Sequence, residues 1–212
     1  DDDLVHHSWS EYIAGAAPYG APLRTYRLPY QDTVAPADTD SVDVVGPDVL
    51  GDLMLWTVYN DADPTLHQNG AGQTAPLGVE VQQTTFGFNR QGALGNTVFV
   101  KFKIINAGAN TLTNTFASLW ADPDLGGFTD DLVGCDTTLS LGFCYNATNN
   151  DQLYGSAPPA VGYDFFQGPK GSGGTPLPLT SFNKYINGTD PGSFDETYNY
   201  MQGLQPDGTD LI

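Results

Sequence analysis

The pattern of apolar and polar residues points most clearly to strands over three stretches in the middle of the chain. Leu53 to Tyr59 is almost continuously apolar and reads as a buried strand; Val79 to Phe88 alternates as a strand with one buried face. Thr97 to Asn106 is the clearest strand pattern, and Asn106-Ala107-Gly108-Ala109-Asn110 supplies a turn after it. Thr111 to Trp120 then reads as the returning antiparallel partner. Further strands are predicted over Ala160 to Phe166 and Thr180 to Ile186. Long strands separated by turn signals predict an all-β fold, an antiparallel β-sandwich or jelly roll with long loops.

The first 47 residues lack this patterning. A short helix is predicted over Leu4 to Ala14, and Gly15, Pro18, Gly20 and Pro22 end it. Gln31 to Pro47 is acidic and Pro-containing, as in an extended surface arm. The expected organisation is an N-terminal arm over 1–45 and one β-sandwich domain over 46–212. Lys170-Gly171-Ser172-Gly173-Gly174 is a flexible turn without phosphate-loop spacing. Thr197 to Ile212 shows no cap or closing strand.

Charge narrows the partners. The 25 acidic and 7 basic residues give a net charge of -18, which repels nucleic acid and anionic membrane alike. Only 15% of residues are charged, so Asn, Thr, Ser, Gln and Gly carry much of the solubility. Scarce lysine fits a secreted or cell-surface protein, or a salt-adapted one. No apolar run approaches the roughly 20 residues that span a bilayer.

The candidate chemistry centres on Ala121 to Asp136, ADPDLGGFTDDLVGCD. Asp122, Asp124, Asp130, Asp131 and Asp136 fall within one Gly-broken segment. Crowded carboxylates repel unless a cation lies among them, and their hard oxygens suit Ca²⁺. The start resembles an EF-hand loop, but Gly126 and Val133 stand where ligands are required. A calcium loop of another kind is expected. Asp61 and Asp63, just after a strand, complete the same site or make another, and Asp151 is a further candidate. Cys135 and Cys144 bracket an irregular stretch. Bonded, they would contribute about 2.5–3 kcal/mol by chain entropy; the alternative is a reduced, buried pair.

Other chemistries find little support. Glycoside hydrolysis needs two carboxyl groups of opposed pKa across a sugar. Among so many aspartates, with Glu11, Glu80 and Glu196 the only glutamates, no pair stands out. A G-x-S-x-G elbow and an H-E-x-x-H helix are both missing, and His6, His7 and His67 are the only histidines. Trp9, Trp56 and Trp120, with 11 Tyr and 11 Phe, suit sugar stacking or core packing. Tyr145, Tyr154, Tyr163, Tyr198 and Tyr200 read as the exposed aromatics. Asn146-Ala147-Thr148 and Asn187-Gly188-Thr189 are glycosylation sequons, relevant only in a eukaryotic secretory pathway.

The strings DLMLWTVYNDAD, PLGVEVQQTTFGF, VFVKFKIINAG, LWADPDLGGFTDDLVGCDTT, CYN, PPAVGYDFFQGP and YMQGLQPDGT resemble a recurrent β-rich region. That region belongs to large secreted or surface proteins of Bacteroidota, Ignavibacteria and relatives, many exported by type IX secretion. The resemblance runs from about Gly46 to the C-terminus. It implies a secreted or surface β-module, whose relatives usually continue through further β domains to a sorting domain.

Together these readings predict a non-enzymatic extracellular structural or adhesive module stabilised by Ca²⁺. Its expected partners are further copies, assembled into a fibre by strand addition, or other surface proteins. The alternative is a carbohydrate-binding accessory module of a secreted hydrolase.

Overall fold

The structure, a computed structural model, describes the backbone of 23–29 and 41–47, and residues 48–61, 74–186 and 189–211 in full. The helix expected over Leu4 to Ala14, the three histidines, Trp9, Glu11, Asp63 and Asn187 lie outside the described residues. The fold is all-β and antiparallel, of the sandwich-like kind. Contacts divide the chain into two compact units, one of residues 1–67 and 75–111 and the other of residues 68–74 and 112–212.

In the first unit, β1 (Leu23–Pro29) and β2 (Ser41–Pro47) pair antiparallel, from Leu23 opposite Pro47 to Pro29 opposite Ser41. These parts of the expected arm are therefore paired strands. The three central runs form a meander of β3 (Leu53–Asn60), β4 (Val79–Gly87) and β5 (Val98–Asn106), with β4 in the middle. Register puts Met54 opposite Phe86 and Phe86 opposite Phe99. Phe86 and Phe99 stack at 5.1 Å, and Phe88 meets Phe99 edge-on at 5.8 Å. Aromatic pairs at such distances hold more than their area alone would.

The opposite face of this meander carries Leu53, Leu55, Tyr59, Val98, Val100, Phe102 and Ile104, all exposed. Strand periodicity explains the segregation, since residues two apart share a face.

In the second unit, β6 (Asp131–Asp136), β7 (Leu141–Asn146) and β10 (Ala160–Asp164) form a sheet with β7 central. A small ribbon pairs β8 (Asn150–Asp151) with β9 (Gly155–Ser156). Leu125 and Cys144 are the buried apolar residues among those described. Gly142 is flat enough for the Phe182 ring to lie against it.

Two expected strands are not formed. Thr111 to Trp120 pairs with no strand among the described residues, and Asn114 interrupts it with a φ of 52°, outside the extended region. Thr180 to Ile186 is likewise without a ladder and is held by side chains instead. Ser181 Oγ donates to Met201 O at 3.1 Å, and Asn183 Nδ2 to Leu204 O at 3.0 Å. These carbonyls lie at the end of helix α1 (Phe194–Met201) and just beyond it, an element the strand reading passes over. Its S-x-x-E start is explicit in the sequence: Ser193 Oγ caps the helix by accepting from Glu196 N at 3.2 Å, and Glu196 Oε2 reaches one residue beyond the cap to accept from Gly192 N at 2.7 Å.

Gly51 enters β3 with a φ of +69°, and a Cβ there would overlap the Gly87 carbonyl. Gly51→Ala is therefore expected to destabilise the protein by at least about 1 kcal/mol, read as a lower thermal midpoint. An unchanged midpoint would contradict this packing.

Candidate functional site

The acidic segment is half loop and half strand. Residues 121–127 are irregular, a 3₁₀ turn covers Phe128–Asp130, and Asp131–Asp136 is β6. That correction decides the geometry. Asp131 and Asp136 stand at opposite ends of a strand, roughly 17 Å apart at ~3.4 Å per residue. One ion cannot reach both.

The aspartates of the segment are set apart from one another. Asp122 and Asp124 are exposed to solvent. Asp136 closes the β6–β7 turn, its Oδ1 accepting from Thr138 N at 2.9 Å, Leu139 N at 3.2 Å and the Thr138 hydroxyl. The Thr138 hydroxyl and these amides hold its carboxyl below the ordinary carboxylate range. Asp130 Oδ2 accepts from Asn146 Nδ2 at 3.0 Å, and Asp131 Oδ2 from Leu125 N at 2.9 Å.

Asp151 is the most enclosed carboxylate described, at 4% exposure. Its Oδ2 accepts from Gly127 N at 2.7 Å, and its Oδ1 from Leu153 N at 2.8 Å and Tyr154 N at 2.7 Å. The approach needs glycine: Gly126 has a φ of +81°, and a Cβ there would overlap the carboxylate. The Tyr154 amide, then those of Gly127 and Leu153, outweigh the effect of burial and hold Asp151 below its ordinary value.

In the first unit, Asp61 plays the same part between β3 and β4. Its oxygens accept from Leu77 N at 2.6 Å, Gly78 N at 3.0 Å and Val79 N at 2.8 Å. Burial pushes its carboxyl up, but the amides of Val79, Leu77 and Gly78 together prevail and lower it.

The six described aspartates of the seven expected to hold calcium thus do not assemble into one centre. Asp122 and Asp124 face water, Asp136 is a strand length from Asp131, Asp61 organises a turn of its own, and Asp63 is outside the described residues. Among the described residues, no three His, Cys, Asp or Glu side chains are grouped to hold a metal. The residues do not fit a shared calcium centre. The reason is physical: main-chain N–H groups supply much of the positive partner charge assigned to an ion.

Cys135 and Cys144 are free thiols. Cys135 lies opposite Gly142, and Cys144 opposite Val133, so the two cysteines are diagonal neighbours. Such neighbours stand roughly 7–8 Å apart, at the edge of what a disulfide spans. Burial, and then the Asp131 carboxylate, push the Cys144 thiol up, which makes it a poor nucleophile.

Asn146, read from sequence only as a sequon, is 8% exposed, and its Nδ2 is already engaged with Asp130. No local sequence signal marks this role; it follows from the register that sets Asn146 opposite Asp131. Tyr145, Tyr154 and Tyr198 are exposed, as expected, whereas Tyr163 and Tyr200 are half-buried. Trp120 is exposed and Trp56 half-buried. A shallow cavity of about 280 Å³ lies beside Tyr145, Asn149 and Pro159. Among the described residues, no helix is long and apolar enough to cross a membrane. No protein-family model, curated protein or solved structure matches the chain.

The lowered carboxylates fix the sign of the acid response. Their stabilisation is fully present above the ordinary carboxylate pKa and is lost as pH falls through the lowered native values. Thermal melts from pH 7 to pH 2 should show a steep loss below about pH 4. Asp151→Asn should lower the midpoint at pH 7 and flatten that acid limb, whereas Asp124→Asn should leave both unchanged. An acid limb identical in Asp151→Asn and the parent would remove Asp151 from this account.

Proposed function

We propose that this chain is a non-enzymatic extracellular structural or adhesive β-module that associates through the exposed face of its β3–β4–β5 meander. The observation that carries the reading is the apolar row on that face, with Val98 at 70% and Ile104 at 57% exposure. Apolar patches of this kind on soluble proteins mark interaction surfaces. No ionisable residue other than Tyr59 belongs to the row, on a chain of net charge -18. Two copies meeting there bring little like charge together. The flanking strands β3 and β5 are also edges of their sheet, open to an added strand. The acidic, lysine-poor composition supports an extracellular setting.

A second reading rests on the cavity beside Tyr145, where an exposed ring adjoins Asn149 and Thr148. A sugar ring stacked on Tyr145 would make this a carbohydrate-binding module.

Sedimentation velocity separates the two. The parent protein should associate increasingly with concentration. Val100→Asp, at an exposed position on the edge strand, should abolish this at a cost to stability of about 1 kcal/mol. A parent that stays monomeric at all concentrations would sink the associative reading; glycan-array binding lost in Tyr145→Ala would establish the other.

A further inference from the structure

The second unit contains an electrostatic imbalance that the hydrogen bonds above do not fully resolve. From Ile104 to Pro169 there is no Lys, Arg or His, yet the segment holds seven aspartates. Within it, Asp131 and Asn146 are directly opposite one another where β6 begins and β7 ends. Cross-strand partners of this kind have Cβ atoms about 5 Å apart on one face.

Each of the two side chains has one satisfied atom and one orphan. Asp131 Oδ2 is taken by Leu125 N, and Asn146 Nδ2 by Asp130 Oδ2. Asp131 Oδ1 and Asn146 Oδ1 are both buried and have no hydrogen-bond partner among the described residues. Asn146 as a whole is more than nine-tenths buried, at 8% exposure. Burial without a partner carries a full desolvation penalty. Turning the amide over does not help, because it would set the Asn146 oxygen against the Asp130 carboxylate. Both orphans are acceptors, so what satisfies them must be a donor or a cation.

We propose that one calcium ion binds between Asp131 and Asn146, taking Asp131 Oδ1 and Asn146 Oδ1 as ligands, with Asp130 adding charge beside it. The inference deepens the structural reading above and rests on it for the ion's purpose, which is to stabilise the module. Carboxylate and amide oxygens are hard donors, and calcium tolerates irregular sets completed by main-chain oxygens and water. Asp122, Asp124, Asp136 and Asp61 take no part. The site ties β6 to β7 at the point where the chain leaves the acidic turn.

The test is calorimetric titration of the chelator-stripped 212-residue protein with calcium chloride alone. One equivalent should bind. Asp131→Asn should weaken binding by roughly tenfold or more, since ligand charge sets calcium affinity. Asn146→Asp keeps the shape and adds a charge, and should tighten binding several-fold. Asp124→Asn and Asp136→Asn should stay within about twofold, because neither supplies a ligand. No uptake by the parent protein would overturn the site and leave the orphan oxygens to an ordered water. Equal weakening by Asp136→Asn, or no tightening by Asn146→Asp, would overturn it as well. If Asp131→Asn does not fold, the Asn146→Asp and Asp124→Asn arms still decide. A calcium-binding monomer would sink the associative function while leaving this site standing.

Discussion

The hydrogen bond from a main-chain amide to an aspartate carboxylate is the interaction on which both units depend. Thin sheets with long connections leave many N–H groups outside any ladder, and buried ones must find acceptors. Asp61 and Asp151 each gather three such groups, Asp136 gathers two, and Asp131 takes one from the turn that packs over its sheet. An ionised acceptor makes these bonds shorter and stronger than neutral ones. The acidity of the chain is therefore partly internal architecture. It closes turns that a larger apolar core would otherwise have to hold.

Glycine is the complement of that device. Asp151 reaches the Gly127 amide because Gly126 turns with a positive φ and has no side chain in the way. The thiol of Cys144 lies in the same small core, with its Sγ 3.9 Å from the Pro123 carbonyl. Leu125 and Cys144 provide the local apolar burial, and the turn above them is fastened at Asp131 and Asp151.

Strands marked by an unbroken apolar run or by steady alternation were legible in the sequence. Leu53–Asn60, Val79–Gly87, Val98–Asn106 and Ala160–Asp164 lie within a residue or two of the predicted spans. The pattern misled where an extended segment met its hydrogen-bonding needs through side chains. Thr180 to Ile186 alternates like a strand, yet Ser181 and Asn183 fasten it to the end of α1 and to Leu204. In the acidic stretch the residue types were readable but their grouping was not. Asp131 to Asp136 is apolar enough at Leu132 and Val133 to become a strand, and strand geometry disperses carboxylates that a loop would have gathered. The pairing of Asp131 with Asn146 depends on a register between distant residues, which no local pattern contains.

The seclusion of Asn146 has a practical corollary. Oligosaccharide transfer in a eukaryotic host acts on the amide nitrogen of a nascent, still unfolded chain. That nitrogen is the one Asn146 gives to Asp130 in the folded protein. A sugar attached there could not be accommodated at a side chain so enclosed, so transfer and folding compete for a single atom. Glycan occupancy at this asparagine would then mark the molecules that lost that race.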